Sequence, residues 1–394
     1  MKKRIINFIK YNRFFLALYK FFGNLFIKVF SLFIRVDDKK ILFVSFGGRK
    51  FDDSPKALYE KIKNDKFFED YKLVWAFINP KEFNELDCKK VKIDTLSFYK
   101  TALSSKIWIT NSSIQRGLKL KRKNTIKINT WHGTPLKKLG KDMQKNKVKV
   151  KIAKSKGQII YCAQSEYDRE IFTRLFSTDK QNILLSDLPR NDGLLMFSED
   201  KKDKIKQELG IAKDKKVILY APTFREFNRD NLNNCYIKPP IKLNKWQEKL
   251  SNEYVLLFRA HYEVIKAIGI TQNEFVIDVS AYPSLDNLMA ISDLLISDYS
   301  SIYFDYSILE KPMLNFSYDY EQYVKERGLY LDVEKDLLLK INYDEDSLLN
   351  QILTLDIAHE KALSIERKKR FAPYAGNASN IVIDKLKQEI SLSK

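Results

Sequence analysis

From Lys39 onward, short apolar runs alternate with helix-forming stretches, and this alternation constrains the fold more than any other feature. The first run, Ile41 to Phe46, ends at the turn glycines Gly47 and Gly48. Further strands are predicted at Leu73 to Ile78, Ile107 to Thr110, Thr125 to Thr130, Gln158 to Cys162 and Asn182 to Leu185. Strands separated by helices are typical of a parallel sheet. The pattern predicts a Rossmann-like domain over residues 37–200.

The pattern restarts after a polar helix near Lys201 to Leu209. The second set of strands is predicted at Val217 to Phe224, Tyr254 to His261, Glu274 to Ser280, Asp293 to Ile296 and Met313 to Phe316. From Asp346, two or three helices are expected around the loop Pro373 to Asn377. A chain of 394 residues that is 44% hydrophobic can bury two cores. We therefore predict an α/β protein with a second Rossmann-like domain over residues 201–394.

The composition restricts the partners and the compartment. A formal net charge of +20 indicates a polyanionic partner, which leaves nucleic acid, an anionic membrane face or a phosphate-rich substrate. The three cysteines, Cys88, Cys162 and Cys235, have no spacing suited to zinc or to a disulfide framework. A reducing, cytoplasmic compartment is expected.

Residues 1–36 form a separate basic segment without any acidic residue. Its cations are Lys2, Lys3, Arg4, Lys10, Arg13, Lys20, Lys28 and Arg35. On a helical wheel of about 100° per residue, all but Arg4 fall in an arc of roughly 100°, and aromatic residues lie opposite. This pattern predicts an interfacial helix that uses Lys20 and Lys28 at an anionic membrane. The longest uncharged run, Phe21 to Ile27, argues against a membrane span. The alternative is a helix folded onto the body. In either case a break at Gly23 could divide the segment in two.

Two of the three histidines are predicted at the carboxyl ends of strands, where doubly wound sheets bind ligands. His132 lies in NTWHGTPLKKLG, and His261 closes LLFRAH, whereas His359 lies in a charged helix and is expected to face solvent. A histidine titrates near neutral pH, so it can remove a proton from a hydroxyl or protonate a leaving phosphate. The alternatives are a turn histidine and a strand-end histidine bonded to the backbone.

Arginines occur at the same predicted strand ends. Arg190 lies in LPRND, Arg225 follows Pro222-Thr223 in APTFRE, and Arg259 precedes His261 by two residues. Because the guanidinium fork matches phosphate oxygens, three such arginines indicate a diphosphate ligand. A surface ion pair is the alternative for any one of them.

The stretch Ser292 to Phe316 is predicted to form strand, turn and helix. Ser300 and Ser301 are good residues for a helix N-terminus, whose free N–H groups bind anions. An ordinary crossover with a capped helix is the alternative. The sequence contains no Walker loop, no GxGxxG and no metal-ligand spacing, so no metal and no cofactor is expected.

Five motifs in order, WHGTP, LPRNDGL, APTFRE, Arg259-Ala260-His261 and SDYSSIYFDYSILEKP, resemble the CDP-glycerol glycerophosphotransferase family of teichoic-acid and capsule biosynthesis. The resemblance runs from about Lys39 to the end. It implies a GT-B-type fold and a peripheral enzyme at the cytoplasmic face of the membrane. It also implies transfer of glycerol or ribitol phosphate from a CDP-alditol to a lipid-linked acceptor, such as an undecaprenyl-diphosphate-linked glycan, with release of CMP.

The resemblance also implies site residues. His132 corresponds to the family's catalytic base and His261 to its second catalytic histidine. The implied CDP-alditol contacts are Gly133, Thr134, Arg190, Pro222, Thr223, Arg259, Ser300, Ser301 and Asp305. Apart from the resemblance, Lys137 and Lys138 begin a lysine-rich run whose charge indicates contact with the acceptor's pyrophosphate or with anionic headgroups. A solvated loop is the alternative. The chain lacks the long N-terminal extensions of the larger polymerases, which favours a short-form enzyme.

Two other functions are compatible with parts of the pattern. A GT-B nucleotide-sugar glycosyltransferase would share the fold and the cleft. A non-catalytic basic protein that binds nucleic acid or membranes would explain the charge but not the paired histidines, and no nucleic-acid motif is present. The sequence does not decide whether the donor carries glycerol or ribitol, or whether the enzyme adds a first unit or a polymer. It also does not decide whether the product is wall teichoic acid or capsule.

Overall fold

The computed structural model describes residues 12–143, 158–223, 225, 239–260 and 273–393. The first sheet consists of β1 (Asp37–Val44), β2 (Lys72–Phe77), β3 (Lys89–Lys92), β4 (Ser105–Thr110), β5 (Ile126–Asn129), β6 (Ile159–Ala163) and β7 (Ile183–Leu185). The second consists of β8 (Lys216–Ala221), β9 (Tyr254–Phe258), β10 (Val276–Asp278), β11 (Leu294–Ser297), β12 (Met313–Phe316) and β13 (Ile341–Asn342). The strand orders are β3-β2-β1-β4-β5-β6-β7 and β10-β9-β8-β11-β12-β13. Adjacent strands in both sheets are parallel, which confirms the predicted α/β class.

The helices cover both sheets. They are α1 (Arg13–Leu32), α2 (Asp53–Lys63), α3 (Leu96–Ser104), α4 (Glu166–Phe176), α5 (Glu199–Glu208), α6 (Leu243–Leu250), α7 (Leu285–Ile291), α8 (Ile302–Ser307), α9 (Tyr320–Glu326), α10 (Glu345–Leu353), α11 (Ile357–Phe371) and α12 (Ala378–Leu392). The helices predicted for the tail are therefore present as α10, α11 and α12.

Some predicted features lie outside the described residues. They include His261, Cys235, the first eleven residues and the lysines between positions 145 and 156. Cys88 and Cys162 are described, and both are free thiols.

The two faces of the first sheet carry different helices. Ile41 and Phe43 of β1 pack with α2 and α12 on one face. Leu42 and Val44 point to the other face, where they pack with α1 and α3, because successive strand residues alternate. The division at residue 200 stays a prediction, but the last helix returns to the first sheet, which the sequence did not indicate.

Helix α1 is fixed to the first sheet by one side. A Cβ at Gly23 would lie 2.6 Å from the side chain of Leu118, so glycine permits a close contact, and the helix continues through this position. The expected break at Gly23 is wrong. Asn24 accepts a 2.7 Å hydrogen bond from the Lys119 N–H, and Arg122 donates to two carbonyls at the helix C-terminus at 2.7 and 2.6 Å. These contacts match the alternative of a helix folded onto the body.

The outer side of α1 is exposed and apolar. The large exposed side chains of α1 and of the residue that follows it are Phe14, Phe15, Tyr19, Phe21, Phe22, Leu25, Phe26, Val29, Leu32 and Phe33. Lys20 and Lys28 are also exposed. By length and composition, Phe14–Leu32 (19 residues, mean hydropathy 1.4) is sufficient to cross a membrane. The short uncharged run Phe21 to Ile27 therefore does not exclude a span.

Candidate active site

The predicted site residues meet where the carboxyl ends of strands from both sheets face each other. A central cavity of about 640 Å³ is lined by His132, Arg190, Pro222, Thr223, Arg259, Ser300, Ser301 and Asp305, among other residues. Gly133 and Thr134 line an adjoining small cavity of about 250 Å³, which also includes His132. The structure thus gathers the described members of the predicted set around one cleft.

The His132 ring is held in one orientation. Its Nδ1 lies 2.9 Å from the backbone oxygen of Asn111, at the end of β4. A carbonyl oxygen can only accept, so Nδ1 carries the proton and Nε2 keeps its lone pair. The ring stacks on Trp131 with centroids 4.2 Å apart, and the side chain is exposed to the cleft. His132 is therefore arranged to accept a proton through Nε2.

Gly133 is required by a close approach between the two halves of the cleft. Its φ is +143°, and a Cβ at this position would lie 2.8 Å from Ser301 Oγ. A side chain would therefore meet both an unfavourable backbone conformation and a steric clash. The turn after β5 and the turn before α8 can touch only because residue 133 is glycine.

Thr134 is buried beneath the cleft, and its hydroxyl points into a polar cluster. The hydroxyl lies 2.8 Å from Gln164 Oε1 and 2.9 Å from Asp168 Oδ2. Burial raises the pKa of Asp168 to about 7. A protonated Asp168 can donate to Thr134 while Thr134 donates to Gln164, which satisfies both contacts. The side chain of Thr134 therefore supports the turn, and only the residue's surface on the small cavity is open to a ligand.

Arg190 connects the two halves of the protein. Its Nη1 donates to Asp53 Oδ2 at 2.7 Å and to the His132 carbonyl at 3.0 Å, and its Nη2 donates to Asp305 Oδ2 at 2.7 Å. Burial lowers the pKa of Arg190, but Asp305 and Asp53 outweigh this effect and raise it. Two carboxylates offset its positive charge, so Arg190 orders the His132 turn as well as lining the cavity.

Asp305 lies at the bottom of the central cavity and is 3% exposed. One carboxylate oxygen accepts from Arg190, and the other accepts from Asn191 Nδ2 at 3.0 Å. Because both oxygens already accept hydrogen bonds, Asp305 fixes the orientation of Arg190 in this arrangement.

Arg259 presents a charge that no described carboxylate pairs with. Its Nη1 donates to the carbonyls of Val279 at 3.1 Å and Tyr282 at 2.8 Å. Burial lowers the pKa of Arg259, an effect that Asp52 and Asp286 oppose. Neutral carbonyls position the guanidinium without cancelling its charge. Among the described arginines of the cleft, Arg259 is therefore the strongest candidate for a phosphate contact.

Arg225 does not line the cleft, and the expectation that it does is wrong. It is fully buried and donates to Asp298 at 2.8 Å and to Asp319 at 2.6 Å. The two carboxylates compensate its desolvation, which explains why it remains buried. Thr223 donates to the same Asp298 through N–H at 2.9 Å and Oγ1 at 2.7 Å. Arg225 thus supports the cleft wall that Pro222 and Thr223 form.

The serine turn has the predicted strand–turn–helix form, between β11 and α8. Ser300 Oγ accepts from the Ile302 N–H at 3.2 Å. Ser301 precedes α8 and makes no side-chain capping bond, so its hydroxyl is available to the cleft. Both serines line the central and small cavities.

The two predicted acceptor lysines belong to a backbone connection between the halves. Lys137 forms an antiparallel bridge with Leu329, and the Lys138 N–H donates to the Gly328 carbonyl at 3.0 Å. Lys137 Nζ lies 5.8 Å from the ring centre of Tyr323 and lines the small cavity. Lys137 therefore reaches the cleft next to His132.

Sequence reasoning missed three acidic residues of the cleft. Asp52 and Asp53 follow the first strand, and Asp286 lies in the first turn of α7; all three line the central cavity. Burial raises the pKa of Asp286 to about 6, although Arg190 opposes the shift. Asp52 and Asp53 could have been predicted from the sequence, because FDDSP follows the turn glycines at the carboxyl end of β1.

His132, Arg259 and the serine turn line one cleft between two parallel sheets, an arrangement suited to a transferase that handles a phosphate-bearing ligand. The model of the family described as CDP-Glycerol:Poly(glycerophosphate) glycerophosphotransferase matches residues 26–388. The chain belongs to this family, as the five motifs indicate.

Individual relatives agree with the family. A teichoic acid poly(glycerol phosphate) polymerase of Staphylococcus epidermidis is 36% identical over 82% of this chain, which spans 46% of that relative's length. A teichoic acid poly(ribitol-phosphate) polymerase of Bacillus spizizenii is 31% identical over 56% of this chain and 36% of its own length. A solved structure of the wall teichoic acid polymerase TagF is 32% identical, with a TM-score of 0.81 and 93% coverage of both chains.

Proposed function

We propose that this chain transfers an alditol phosphate from a CDP-alditol to a hydroxyl of a lipid-linked glycan or teichoic acid acceptor and releases CMP. The observation that carries the proposal is the placement of His132, whose ring is held through Nδ1 by the Asn111 carbonyl and lines the same cavity as Arg259 and the serine turn. Family membership supports the same chemistry. The GT-B-type arrangement is part of the proposal, and it is supported by the two parallel sheets that face one cleft.

In this mechanism, Nε2 of His132 accepts the proton of the acceptor hydroxyl. The hydroxyl oxygen attacks the phosphorus that bears the alditol, so a new oxygen–phosphorus bond forms. The bond from that phosphorus to the CMP oxygen breaks in line, and CMP leaves with the electron pair. The proton remains on His132 until solvent or the leaving group removes it. His261 lies outside the described residues, and its role as a second catalytic histidine stays a prediction.

Positive groups of the cleft would stabilise the charge on the diphosphate. Arg259, which pairs with no described carboxylate, contributes its positive charge, and Ser300 and Ser301 contribute hydroxyl and backbone N–H groups. Arg190 contributes less net charge, because Asp53 and Asp305 offset it.

Glycerol is the favoured alditol. The poly(glycerol phosphate) relative aligns over 82% of the chain, whereas the poly(ribitol-phosphate) relative aligns over 56%. We therefore propose CDP-glycerol as the first donor to test and CDP-ribitol as the second.

We also propose that the protein acts at the cytoplasmic face of the membrane, to which α1 would attach it. The apolar side of α1 faces away from the body, and Lys20 and Lys28 accompany it. Such a face contacts lipid favourably, and lysines near it are attracted to anionic headgroups. No nucleic acid is needed to account for the charge.

The decisive experiment measures CMP release from CDP-glycerol and CDP-ribitol by the protein and by His132→Ala. Loss of turnover is expected, while calorimetric binding of the CDP-alditol is retained because the cations of the cleft remain. His359→Ala is the control, since this exposed histidine lies on α11. Near-normal turnover in His132→Ala would refute the assignment of the base.

The same assay separates the alternatives. Release of a different nucleotide from a nucleotide sugar would favour a glycosyltransferase. Salt-dependent DNA binding without CMP release would favour a non-catalytic basic protein. Activity in the presence of EDTA is expected, because no metal is required by the proposed mechanism.

A further inference from the structure

A fully buried glutamine lies beneath the His132 turn. Gln164 follows β6 directly and is 0% exposed. Its Oε1 accepts a 2.8 Å hydrogen bond from Thr134 Oγ1, and its Nε2 donates to Asp187 Oδ1 at 3.1 Å. A side-chain amide suits this position because it carries an acceptor and a donor at the same end. Gln164 therefore joins the turn that carries His132 to the segment after β7.

From Asp187 the hydrogen bonds continue into the second half of the protein. Asn191 Nδ2 donates to Asp187 Oδ1 at 3.0 Å and to Asp305 Oδ1 at 3.0 Å. Asp305 lies in α8, directly behind the serine turn. Gln164 Nε2 also lies 3.5 Å from the same Asp305 oxygen. The amide of Gln164 is thus linked to the helix that begins at the serine turn.

Arg190 closes these contacts into a ring of hydrogen bonds. It donates to Asp305 Oδ2 at 2.7 Å and to the His132 carbonyl at 3.0 Å. The ring therefore holds the His132 turn at two points, at its backbone through Arg190 and at the Thr134 side chain through Gln164. Both points lead to Asp305, so the ring sets the distance between His132 and the serine turn.

The His132 turn depends on such contacts because its backbone is strained. Trp131 has a φ of +56°, and a non-glycine residue at positive φ persists where its surroundings hold it. Thr134 is 1% exposed, and the other partner of its hydroxyl is Asp168 at 2.9 Å, which belongs to α4 beside the first sheet. Without the Gln164 amide, Thr134 would keep Asp168 but lose its link to the second half of the protein.

We propose that Gln164 is a positioning residue for the transfer of the alditol phosphate, which sets the His132 turn against the serine turn through Thr134 and Asp305. This inference rests on the proposed function, because it takes His132 as the group that accepts the acceptor proton. Gln164 is buried and lines neither the central nor the small cavity. It acts on the approach of Nε2 to the acceptor hydroxyl, where a displacement of about 1 Å costs about 100-fold in rate.

The first test compares Gln164→Met, which keeps the length of the side chain but removes the amide, with the unmodified protein. CMP release from CDP-glycerol should slow about 10- to 100-fold. The calorimetric Kd for CDP-glycerol should stay within about threefold, because Arg259 and the serine turn are unchanged. Gln351→Met is the matched control, since it removes an amide that accepts a 2.7 Å hydrogen bond from Asn342 at the edge of the second sheet. It should lower Tm without slowing CMP release. A Gln164→Met protein with a lower Tm but normal turnover would overturn the proposal.

A double-variant cycle tests whether Gln164 acts through Thr134. Thr134→Val removes the hydroxyl at the other end of the same hydrogen bond, and it should also slow CMP release. If this hydrogen bond is the link, the double variant should be no slower than the slower single variant, whereas independent losses multiply. Losses that multiply would overturn the proposal. If Gln164→Met does not fold, Thr134→Val provides the comparison of turnover with CDP-glycerol affinity.

A measurement without catalysis separates this inference from the proposed function. The chain has three histidines, so comparison with His132→Ala assigns the ring ¹⁵N signals of His132 in NMR spectra. The unmodified protein should carry the proton on Nδ1, and Gln164→Met should show a mixture of tautomers, because the turn no longer holds the ring against the Asn111 carbonyl. A pure Nδ1–H tautomer in Gln164→Met would overturn the positioning role. If the unmodified protein releases no CMP but the tautomer shift occurs, the proposed function fails and the positioning of His132 stands.

Discussion

At the scale of single residues, the turn after β5 combines chemistry with a tight contact. Asn111 fixes the proton on Nδ1 of His132, and Gly133 brings Ser301 close to the same turn. His132 and the serine turn are therefore adjacent because residue 133 has no side chain.

Gly133→Ala should lower both stability and CDP-alditol affinity. The φ of +143° and the 2.8 Å approach to Ser301 Oγ both oppose a methyl group. We expect a loss of about 1–3 kcal/mol in the free energy of unfolding, measured by denaturant titration. Gly193→Ala is the control, because its Cβ would meet nothing within 4 Å. A Gly133→Ala protein as stable as Gly193→Ala would contradict the close-contact argument.

Asp168 should make the protein less stable as pH rises from about 4 to about 7. Burial raises its pKa to about 7 from 3.8, so the folded state binds more protons than the unfolded state in this window. The free energy of unfolding therefore falls by at most about 1.4 kcal/mol per pH unit from this group.

The replacement Asp168→Asn should reduce the change of Tm between pH 5 and pH 8, and scanning calorimetry at several pH values measures it. Burial also raises the pKa of Asp187 to about 7, so Asp168→Asn should retain part of the pH dependence of Tm. The exposed Asp179→Asn serves as control and should follow the unmodified protein. An unchanged pH slope in Asp168→Asn would show that this carboxyl is charged in the folded state.

Local sequence predicted the residues of the cleft better than their contacts. His132, Arg190 and Arg259 were predicted from their positions at strand ends. In a parallel sheet the carboxyl ends of all strands lie at one edge, where ligands bind. The same rule failed for Arg225, since its partner Asp319 is 94 positions away. Burial of a charge depends on such distant partners, and a single sequence does not state their distances.

At the scale of elements, long apolar runs were predicted and short polar strands were not. β3 has the sequence KKVK, with Val91 as its single buried residue, and β13 has only two residues. Neither strand has a hydrophobic period of its own. Each is held at the edge of its sheet by pairing with a neighbouring strand, which its own sequence does not indicate. Helix α4, by contrast, has an apolar side of its own, with Ile171, Phe172 and Leu175 buried.

Helix α1 gives a prediction at the same scale. Phe21→Ser combined with Leu25→Ser should reduce sedimentation with anionic vesicles at least about tenfold, since each buried apolar side chain contributes roughly 1.5–3 kcal/mol. The two residues are 66% and 51% exposed, so the Tm should not change.

The matched control is Leu353→Ser combined with Ile357→Ser, which removes two side chains that are each 52% exposed, at the end of α10 and the start of α11. This double variant should sediment with the vesicles like the unmodified protein. Vesicle binding that survives the α1 substitutions would remove the membrane role from this helix.

At the scale of the whole molecule, the chain crosses from the second sheet back to the first. Leu386→Ala in α12 should cost about 2–5 kcal/mol, because it leaves a cavity in the core that β1 and α2 share. Hydrogen exchange should accelerate mainly in β1 and its neighbours. Leu392→Ala, which is 81% exposed, is the control. Faster exchange confined to β8–β13 would contradict the packing of α12 on the first sheet.

The return of α12 sets an order of events during synthesis. Helix α1 precedes the first sheet in the chain and α12 follows the second sheet, yet both pack on the first sheet, on opposite faces. While the second sheet is being translated, the face that α12 will cover has no partner from that helix. The first sheet therefore completes its core only after the second sheet has been translated, and the nascent chain presents its amphipathic helix well before its cleft is assembled.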